Sequence, residues 1–595
     1  MYHRVLESRL RAAVAAVVPS ADPATLQVQP ASEARFGDYQ SNSLMLVAKG
    51  ARLNPRQLAA DVVARLEVSD CCGPVEIAGP GFLNFRLTPQ ALAGWVREAA
   101  SGGPVLVPLA QTPRTVVLDF SSPNVAKPMH VGHIRSTGIG DALQRLWRLL
   151  GHRVISDNHI GDWGTQFGKL LVGWKELLDR PALERDPIAE MERLYKTVNT
   201  QCDADPARLE AARQELVRLQ AGDPENLAIW KEMIRLSQVQ FDTLYGRLGV
   251  RFDHTLGESF YNPELGRVVD ELLAAGIART SDGAVAVFSD RTLPPKEDPF
   301  LVSRDGEWVD VPALIRKSDG GFNYMTTDLA TVDHRLRTWA PDEILYVVDD
   351  RQSGHFRALF HVFARWQPGA CAKTRLRHIG FGKILGDDGK PFKTRSGDTV
   401  RLADVLDEAE ERALKVVAEK RPDLPEAERR EIARIVGIGA VKWQDLLPNR
   451  QSDYVFSWDK MLALQGNTAP YVQYQYTRAA KVVRDAGEGS GTSGTSGTAG
   501  VVPEVVLTEP AERALARHLM NLGYTLEAAA QECRPNYLCN YLHELAGLYS
   551  AFYEACPVLK AAEPARSTRL ALCRLSAQVL RLGLETLGIE VTEKM

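Results

Sequence analysis

The chain has 595 residues, of which 45 % are hydrophobic and 25 % charged; this is ordinary globular usage and excludes a disordered, collagen-like or disulfide-framework protein. At about 150 residues per domain, the length predicts three or four domains. Lys and Arg total 71 against 75 Asp and Glu, a net charge of −4, which excludes a wholly basic nucleic-acid coat and leaves room for a local basic face. No stretch reaches the roughly 18 consecutive apolar residues of a membrane span. The opening MYHRVLESRL lacks the apolar core of a secretory signal. The eight cysteines form no C-x-x-C pair, so reduced thiols in a cytoplasmic protein are expected rather than a zinc ribbon or a redox motif.

In chain order, residues 1–105 read as a small α+β unit. Asn54-Pro55 is an N-cap followed by a first-turn proline, and Leu58, Val62, Val63 and Leu66 recur at helical spacing. Two strands, Val75–Ile77 and Leu83–Leu87, flank the turn Gly79-Pro80-Gly81. A Gly/Pro-rich linker, Gly102–Pro113, leads into residues 112–400. There Thr115–Phe120 is a β-branched run of the kind that forms a buried parallel strand. A helix over Gly132–Leu150 places Ile139, Leu143, Leu146, Trp147 and Leu150 on one face, and His152–Ser156 is the next strand. That β-α-β unit predicts a parallel sheet covered by helices.

From about 170 to 300 the pattern is mostly helical and reads as an insertion. A second strand group, Glu343–Val348 and His378–Leu385, completes the sheet beyond it. Residues 401–595 are helical, apart from a Gly/Ser-rich stretch at 488–500 expected to be a flexible loop remote from the chemistry. The predicted fold class is therefore α/β multidomain: a Rossmann-type parallel-sheet domain with an insertion, an α+β N-terminal domain and an all-α C-terminal domain.

The chemistry concentrates in Ser121 to His133, SSPNVAKPMHVGH, between a strand and a helix. Ligands of open α/β sheets bind at this carboxyl end of the strands. His130 and His133 fall in the first helical turn and can address one ligand, while Gly132 lets a phosphate or base approach the backbone. Free N–H groups at the helix start and the cation Lys127 suit an anion. No phosphate-binding G-x-x-x-x-G-K-[ST] and no complete G-x-G-x-x-G follows a strand. A second basic cluster, GKILGDDGKPFKTRSG from Gly382 to Gly397, carries Lys383, Lys390, Lys393 and Arg395 with the hydroxyls of Thr394 and Ser396. Such a loop could cover a triphosphate or lie on a solvated face.

The stretch Leu118 to Gly168 resembles class I aminoacyl-tRNA synthetases, and more narrowly the arginyl-tRNA synthetases. His130–His133 matches the class signature His-Ile-Gly-His, with valine in second place. Phe392–Ser396 (FKTRS) stands where the class carries Lys-Met-Ser-Lys-Ser, so both lysines of that motif are replaced. RFGDYQSN at 35–42, GPGFLNF at 79–85 and TAPYVQYQYTRA at 468–479 extend the resemblance over essentially the whole chain.

The resemblance implies activation of L-arginine by ATP, with Mg2+ arriving on the ATP and no dedicated metal site, followed by transfer to the tRNA for arginine. His130, His133, Lys127, Lys393 and Arg395 would be catalytic, Lys127 compensating for the degenerate loop. Gly132, Gly161, Gly382 and Ser396 would join Lys127 and the histidines on ATP. Arginine would meet Asp119, Ser121, Asn124, His133, Tyr324, Asp328 and Gln352, with Asp328 on the guanidinium. Such a pocket needs no editing site, because lysine or citrulline would leave buried groups unpaired. Phe36, Tyr39 and Asn84 would touch the tRNA elbow, and Tyr471, Tyr474 and Arg478 its anticodon. A monomer without membrane contact is expected, as is a tRNA requirement for activation. Two alternatives compete: a small-molecule nucleotidyltransferase with the same phosphate site, and a non-catalytic RNA-binding paralogue.

Overall fold

The run Thr115–Phe120 forms a six-residue strand, β1, buried along nearly its whole length. In the computed structural model, which describes residues 1–386, 388–390, 392, 400–487 and 504–595, β1 lies inside a four-stranded parallel sheet. Its helix, α1, is His133–Leu149, and the next strand, β2, is Arg153–Asp157. Four long helices follow: α2 (Gln166–Leu177), α3 (Pro187–Ala204), α4 (Pro206–Gln220) and α5 (Pro224–Leu248). After them come α6 (Tyr324–Trp339), β3 (Glu343–Val347), α7 (Ser353–Trp366) and β4 (Arg375–His378). The strand order is β4-β3-β1-β2, with Leu118 opposite both Leu345 and Ser156.

The sheet packs on helices through Val117, Ile155 and Ile344, which meet Val268 and Leu272 of the helix Asn262–Ala274, Leu329 and Val332 of α6, and Leu359 and Phe363 of α7. Each such buried aliphatic side chain contributes about 1.5–3 kcal/mol. On the other side α1 is almost wholly buried. Gly140 allows this: a Cβ there would lie 2.2 Å from the Phe120 ring.

Helices α3, α4 and α5 each begin at an Asp-Pro pair. The carboxylates of Asp186, Asp205 and Asp223 accept the N–H of Ala189, Ala207 and Asn226, and each proline fills the first turn, where no N–H is needed.

The structure corrects two sequence expectations. The segment to about 300 is helical only to Ala274; Ala278–Ser281, Ala284–Val287 and Ala313–Arg316 then form a three-stranded antiparallel sheet. Asp282 and Gly283, with φ of 49° and 77°, make the tight turn that the right-handed strand twist favours. Asp305 and Gly306 do the same between Leu301–Arg304 and Glu307–Asp310. Second, His378–Leu385 is not one strand. The sheet strand ends at His378, and Ile384–Leu385 pairs instead with Tyr454–Val455. The apolar run between them is buried against neighbours rather than laddered; a Cβ on Gly380 would lie 2.1 Å from the Asp350 carboxylate.

The chain divides into two units. The sheet unit comprises Gln111–Arg412 with Gln444–Asp459, and the other joins Met1–Ala110, Ala413–Trp443 and Lys460–Met595. In the latter, Gln29–Pro30, Tyr39–Ser41, Phe82–Phe85 and Glu76–Ala78 form an antiparallel sheet in that order. Its N-terminal and C-terminal stretches are joined by His3–Glu527 (2.7 Å), Arg4–Glu527 and Arg517–Asp38 (2.7 Å). The Gly/Ser stretch 488–500 lies outside the described residues. Among those residues no helix is long and apolar enough to cross a membrane.

Candidate active site

The loop from Ser121 to Gly132, where the sequence leads one to expect the chemistry, has an unusual backbone. Ser121, Ser122 and Ala126 have φ of 73°, 48° and 61°, a region that costs a non-glycine residue about 1–3 kcal/mol. The surroundings hold it there. Ser121 N–H donates to Ser136 Oγ (2.8 Å), and Ser121 Oγ bonds Thr137 Oγ1 (2.9 Å) and Tyr245 Oη (2.8 Å). Ser122 N–H donates to Asn158 Oδ1 (3.0 Å) and Ala126 N–H to Ser237 Oγ (2.9 Å). Gly161 bonds the loop through its backbone on both sides of Asn124, accepting from Val125 N–H and donating its N–H to Pro123 O, both 3.0 Å. Asn124 is exposed beside them, and a Cβ on Gly161 would lie 2.2 Å from its Oδ1.

His130 and His133 face each other with ring centroids 4.0 Å apart. Burial pushes the His133 imidazole down to about 3, and burial with the Arg351 charge lowers His130. Both rings are therefore neutral at pH 7. Gly132 N–H donates to His130 Nδ1 (3.1 Å), and His130 N–H donates to His133 Nδ1 (3.0 Å). Gly132 N–H donating to Nδ1 leaves the proton of the His130 ring on Nε2, while His133 Nδ1 also lies 3.3 Å from His130 O.

The remaining expected residues divide into three groups. Lys127 is half-buried, with Nζ 5.3 Å from the centroid of the Tyr195 ring on α3. Gly382 is buried and its N–H donates to Arg450 O (2.8 Å); Arg135 Nη1 donates to Gly382 O (3.2 Å), tying α1 to the start of the basic loop. Lys393, Arg395 and Ser396 lie outside the described residues.

On α6, Asp328 accepts from His355 Nε2 (2.5 Å), and the exposed Tyr324 packs edge-on against the same imidazole at 4.8 Å. Gln352 is exposed one turn before His355. Glu258 also belongs to this neighbourhood. Burial pushes its carboxyl up to about 7; His159 opposes the shift, and Asp328 and Asp162 add to it. Asp162 accepts from Ser259 N (2.8 Å) and Ser259 Oγ (2.6 Å), so this carboxylate of the GDWG turn fixes the backbone next to Glu258.

Asp119 and Ser121, expected on the substrate, are committed to protein partners. Asp119 Oδ2 takes Arg335 Nη2 at 2.7 Å and its Oδ1 takes Ser122 Oγ at 3.1 Å. Asp157 takes the same Arg335 nitrogen at 2.8 Å. Burial disfavours the Arg335 charge, but Asp119 and Asp157 outweigh it and keep it protonated.

Two expected tRNA contacts are corrected. Tyr39 has no exposed surface and Asn84 is buried at 5 %, because both lie in strands whose faces are covered, so neither side chain offers RNA a contact; Phe36 is partly exposed. Tyr474 is 40 % exposed and lies 4.9 Å under the Arg478 guanidinium, which also sits 5.1 Å from the Tyr553 ring. Tyr471 is half-buried, edge-on to His543 at 5.7 Å.

The sequence reading missed Tyr195, Tyr245, Glu258, Arg335 and His355. Arg335 stands seven residues after Asp328, two turns along one face of a helix, and that spacing was a usable signal. His355 stands three residues after Gln352, and Tyr195, Tyr245 and Glu258 are brought in from distant segments and left none.

A histidine pair heading the first helix after a central parallel strand is the arrangement of a class I aminoacyl-tRNA synthetase. Family models place the details: residues 4–87 match the arginyl-tRNA synthetase N-terminal domain, 103–458 the class I (R) synthetase catalytic domain, and 472–595 the DALR anticodon-binding domain. An arginine–tRNA ligase of Chromobacterium violaceum is 44 % identical over 596 residues, spanning 100 % of both chains. One of Escherichia coli is 43 % identical over 596 residues and 99 % of both. The solved arginyl-tRNA synthetase of Thermus thermophilus superposes with a TM-score of 0.82 at 26 % identity, covering 100 % of each chain. The chain belongs to the arginyl-tRNA synthetase family.

Proposed function

We propose that this chain performs its family's ligase reaction at the loop between β1 and α1, with the residues above in the following roles. A carboxylate oxygen of L-arginine attacks the α-phosphorus of ATP, the bond to the bridging oxygen breaks, and pyrophosphate leaves. The terminal ribose hydroxyl of tRNA then attacks the carbonyl carbon of the adenylate and AMP departs. Negative charge grows on the leaving pyrophosphate, so donors fixed beforehand stabilise the transition state more than the ground state. His130 and His133 supply ring N–H donors, and Lys127 supplies the cation. Lys393, Arg395 and Ser396 would contribute from the basic loop, and Gly132, Gly161 and Gly382 leave room for the nucleotide. Mg2+ would arrive on the triphosphate; among the described residues no cluster of His, Cys, Asp or Glu is grouped to hold a metal of its own.

Asp328, with Tyr324 and Gln352 around it, takes the guanidinium, a planar cation with five donors that a carboxylate matches in fork geometry. Asn124, exposed on the loop, serves the α-amino end. Asp119 and Ser121 shape the loop instead of contacting arginine. Tyr474 and Arg478 offer a ring and a guanidinium plane to anticodon bases.

The observation that carries this reading is the histidine pair, ring centroids 4.0 Å apart, held on a strained loop at the carboxyl edge of the sheet. ATP–pyrophosphate exchange tests it, run with each amino acid and with and without tRNA. Arginine alone supports exchange, and Asp328→Asn raises the KM for arginine roughly ten- to a hundredfold, the cost of one charged hydrogen bond. Exchange with other amino acids, or an unchanged KM in the variant, overturns it.

A further inference from the structure

We propose that Tyr195, on the inserted helix α3, is a positioning residue for the activation step, its ring holding the Lys127 ammonium in place beside the histidine pair. The inference rests on the reading of Lys127 as the cation that meets the phosphates. Lys127 has a flexible four-carbon stem and makes no ion pair among the described residues; its Nζ stands 5.3 Å from the centroid of the Tyr195 ring. A carboxylate would also orient an ammonium, but it would cancel the charge the reaction needs. An aromatic face attracts the cation through its quadrupole and carries no net charge. The lysine is thereby aimed while its positive charge stays available.

The helix that carries this ring is anchored on both sides. Met191, Leu194 and Val198 of α3 are completely buried, so the ring stands on a rigid element. Glu192, one turn before Tyr195, accepts from Arg401 Nη2 (3.2 Å), and Asp186 at the start of α3 pairs with Arg401 Nη1 (3.5 Å). The Arg401 backbone bridges to His130, with Val131 N–H donating to Val400 O and Leu402 N–H to Met129 O, both 2.9 Å. One face of α3 therefore supports the phosphate loop at Lys127 through a ring and at His130 through Arg401.

A double-mutant cycle read by arginine-dependent ATP–pyrophosphate exchange at saturating tRNA tests the inference. Tyr195→Leu lowers kcat roughly five- to thirtyfold, the range of a desolvated cation–π contact. Tyr195→Phe, which keeps the ring, stays within about twofold on the same argument. In the Lys127→Ala background, Tyr195→Leu costs nothing further. Replacing Tyr195 by phenylalanines of increasing fluorine number, which keep the shape and drain the ring face, lowers kcat stepwise in a fully folded enzyme. Equal losses from Tyr195→Leu in both backgrounds, or no dependence on fluorine number, overturn the role of Tyr195 and leave that of Lys127 standing. Undiminished exchange by Lys127→Ala itself overturns the reading of Lys127, and the inference with it.

Discussion

The two histidines show how a residue's neighbours set its chemistry. In the free amino acid either ring nitrogen can carry the proton. Here the backbone N–H of Gly132 occupies Nδ1 of His130 and leaves the proton of that ring on Nε2. His130→Gln, whose amide nitrogen falls where Nε2 stood, should therefore keep at least about tenfold more exchange activity than His130→Asn, a fraction of the effect of one transition-state donor; single-turnover rates of adenylate formation measure the difference. Glu258 makes a second prediction. Its carboxyl titrates near 7 in the fold and near 4.5 when unfolded, so between these values the folded chain binds the extra proton. Stability must then fall as pH rises from about 4.5 to 7. Thermal unfolding across that range should show Glu258→Gln flattening the decline, by raising the melting temperature most at the upper end. The H-x-x-H pair was evident in the sequence, whereas the tautomer and the raised carboxyl depend on which backbone groups and which burial each residue meets.

Among the elements, the loop between β1 and α1 matters most. Its three residues at positive φ are held by side chains of α1 and α5 and by the backbone at Gly161. In Gly161→Ala the methyl would meet Asn124 Oδ1 at 2.2 Å, so the exposed amide must turn away; kcat/KM for arginine activation should drop by more than about tenfold, as for a lost positioning contact, while the melting temperature shifts only a few degrees. An equal loss in both would mean that the glycine serves folding alone. Element types were legible wherever local chemistry decided them: the β-branched run of β1, the amphipathic α1 and the cap at Asn54. The Asp-Gly hairpin at 282–283 carried an equally local signal that the helical reading of about 170–300 passed over. The strand expected over His378–Leu385 failed for a different reason, since burial of an apolar run does not require a ladder.

At the level of the whole molecule, the N-terminal stretch and the C-terminal helices belong to one unit. Glu527 closes it against His3 and Arg4; burial opposes ionisation of that carboxyl, but its hydrogen bonds to these two side chains prevail and lower it. The same unit carries the Arg478 guanidinium 4.9 Å from the Tyr474 ring and 5.1 Å from the Tyr553 ring, the group proposed to meet anticodon bases. Arg478→Ala should raise the KM for tRNA about tenfold, the worth of roughly one stacking contact, with kcat for aminoacylation unchanged at saturating tRNA; steady-state charging measures both. Composition and hydrophobic period by themselves determined the class of fold, and the family was legible through the resemblance of motifs such as His130–His133, because these are written in residues close together in the chain. Only the tertiary structure decided that Asp119 and Ser121 bond to protein partners, that Tyr39 and Asn84 are buried, that Tyr195 lies against Lys127 and that His355 meets Asp328. Those roles come from contacts between segments far apart in sequence, and a pattern read along the chain carries no record of which distant side chain will be its neighbour.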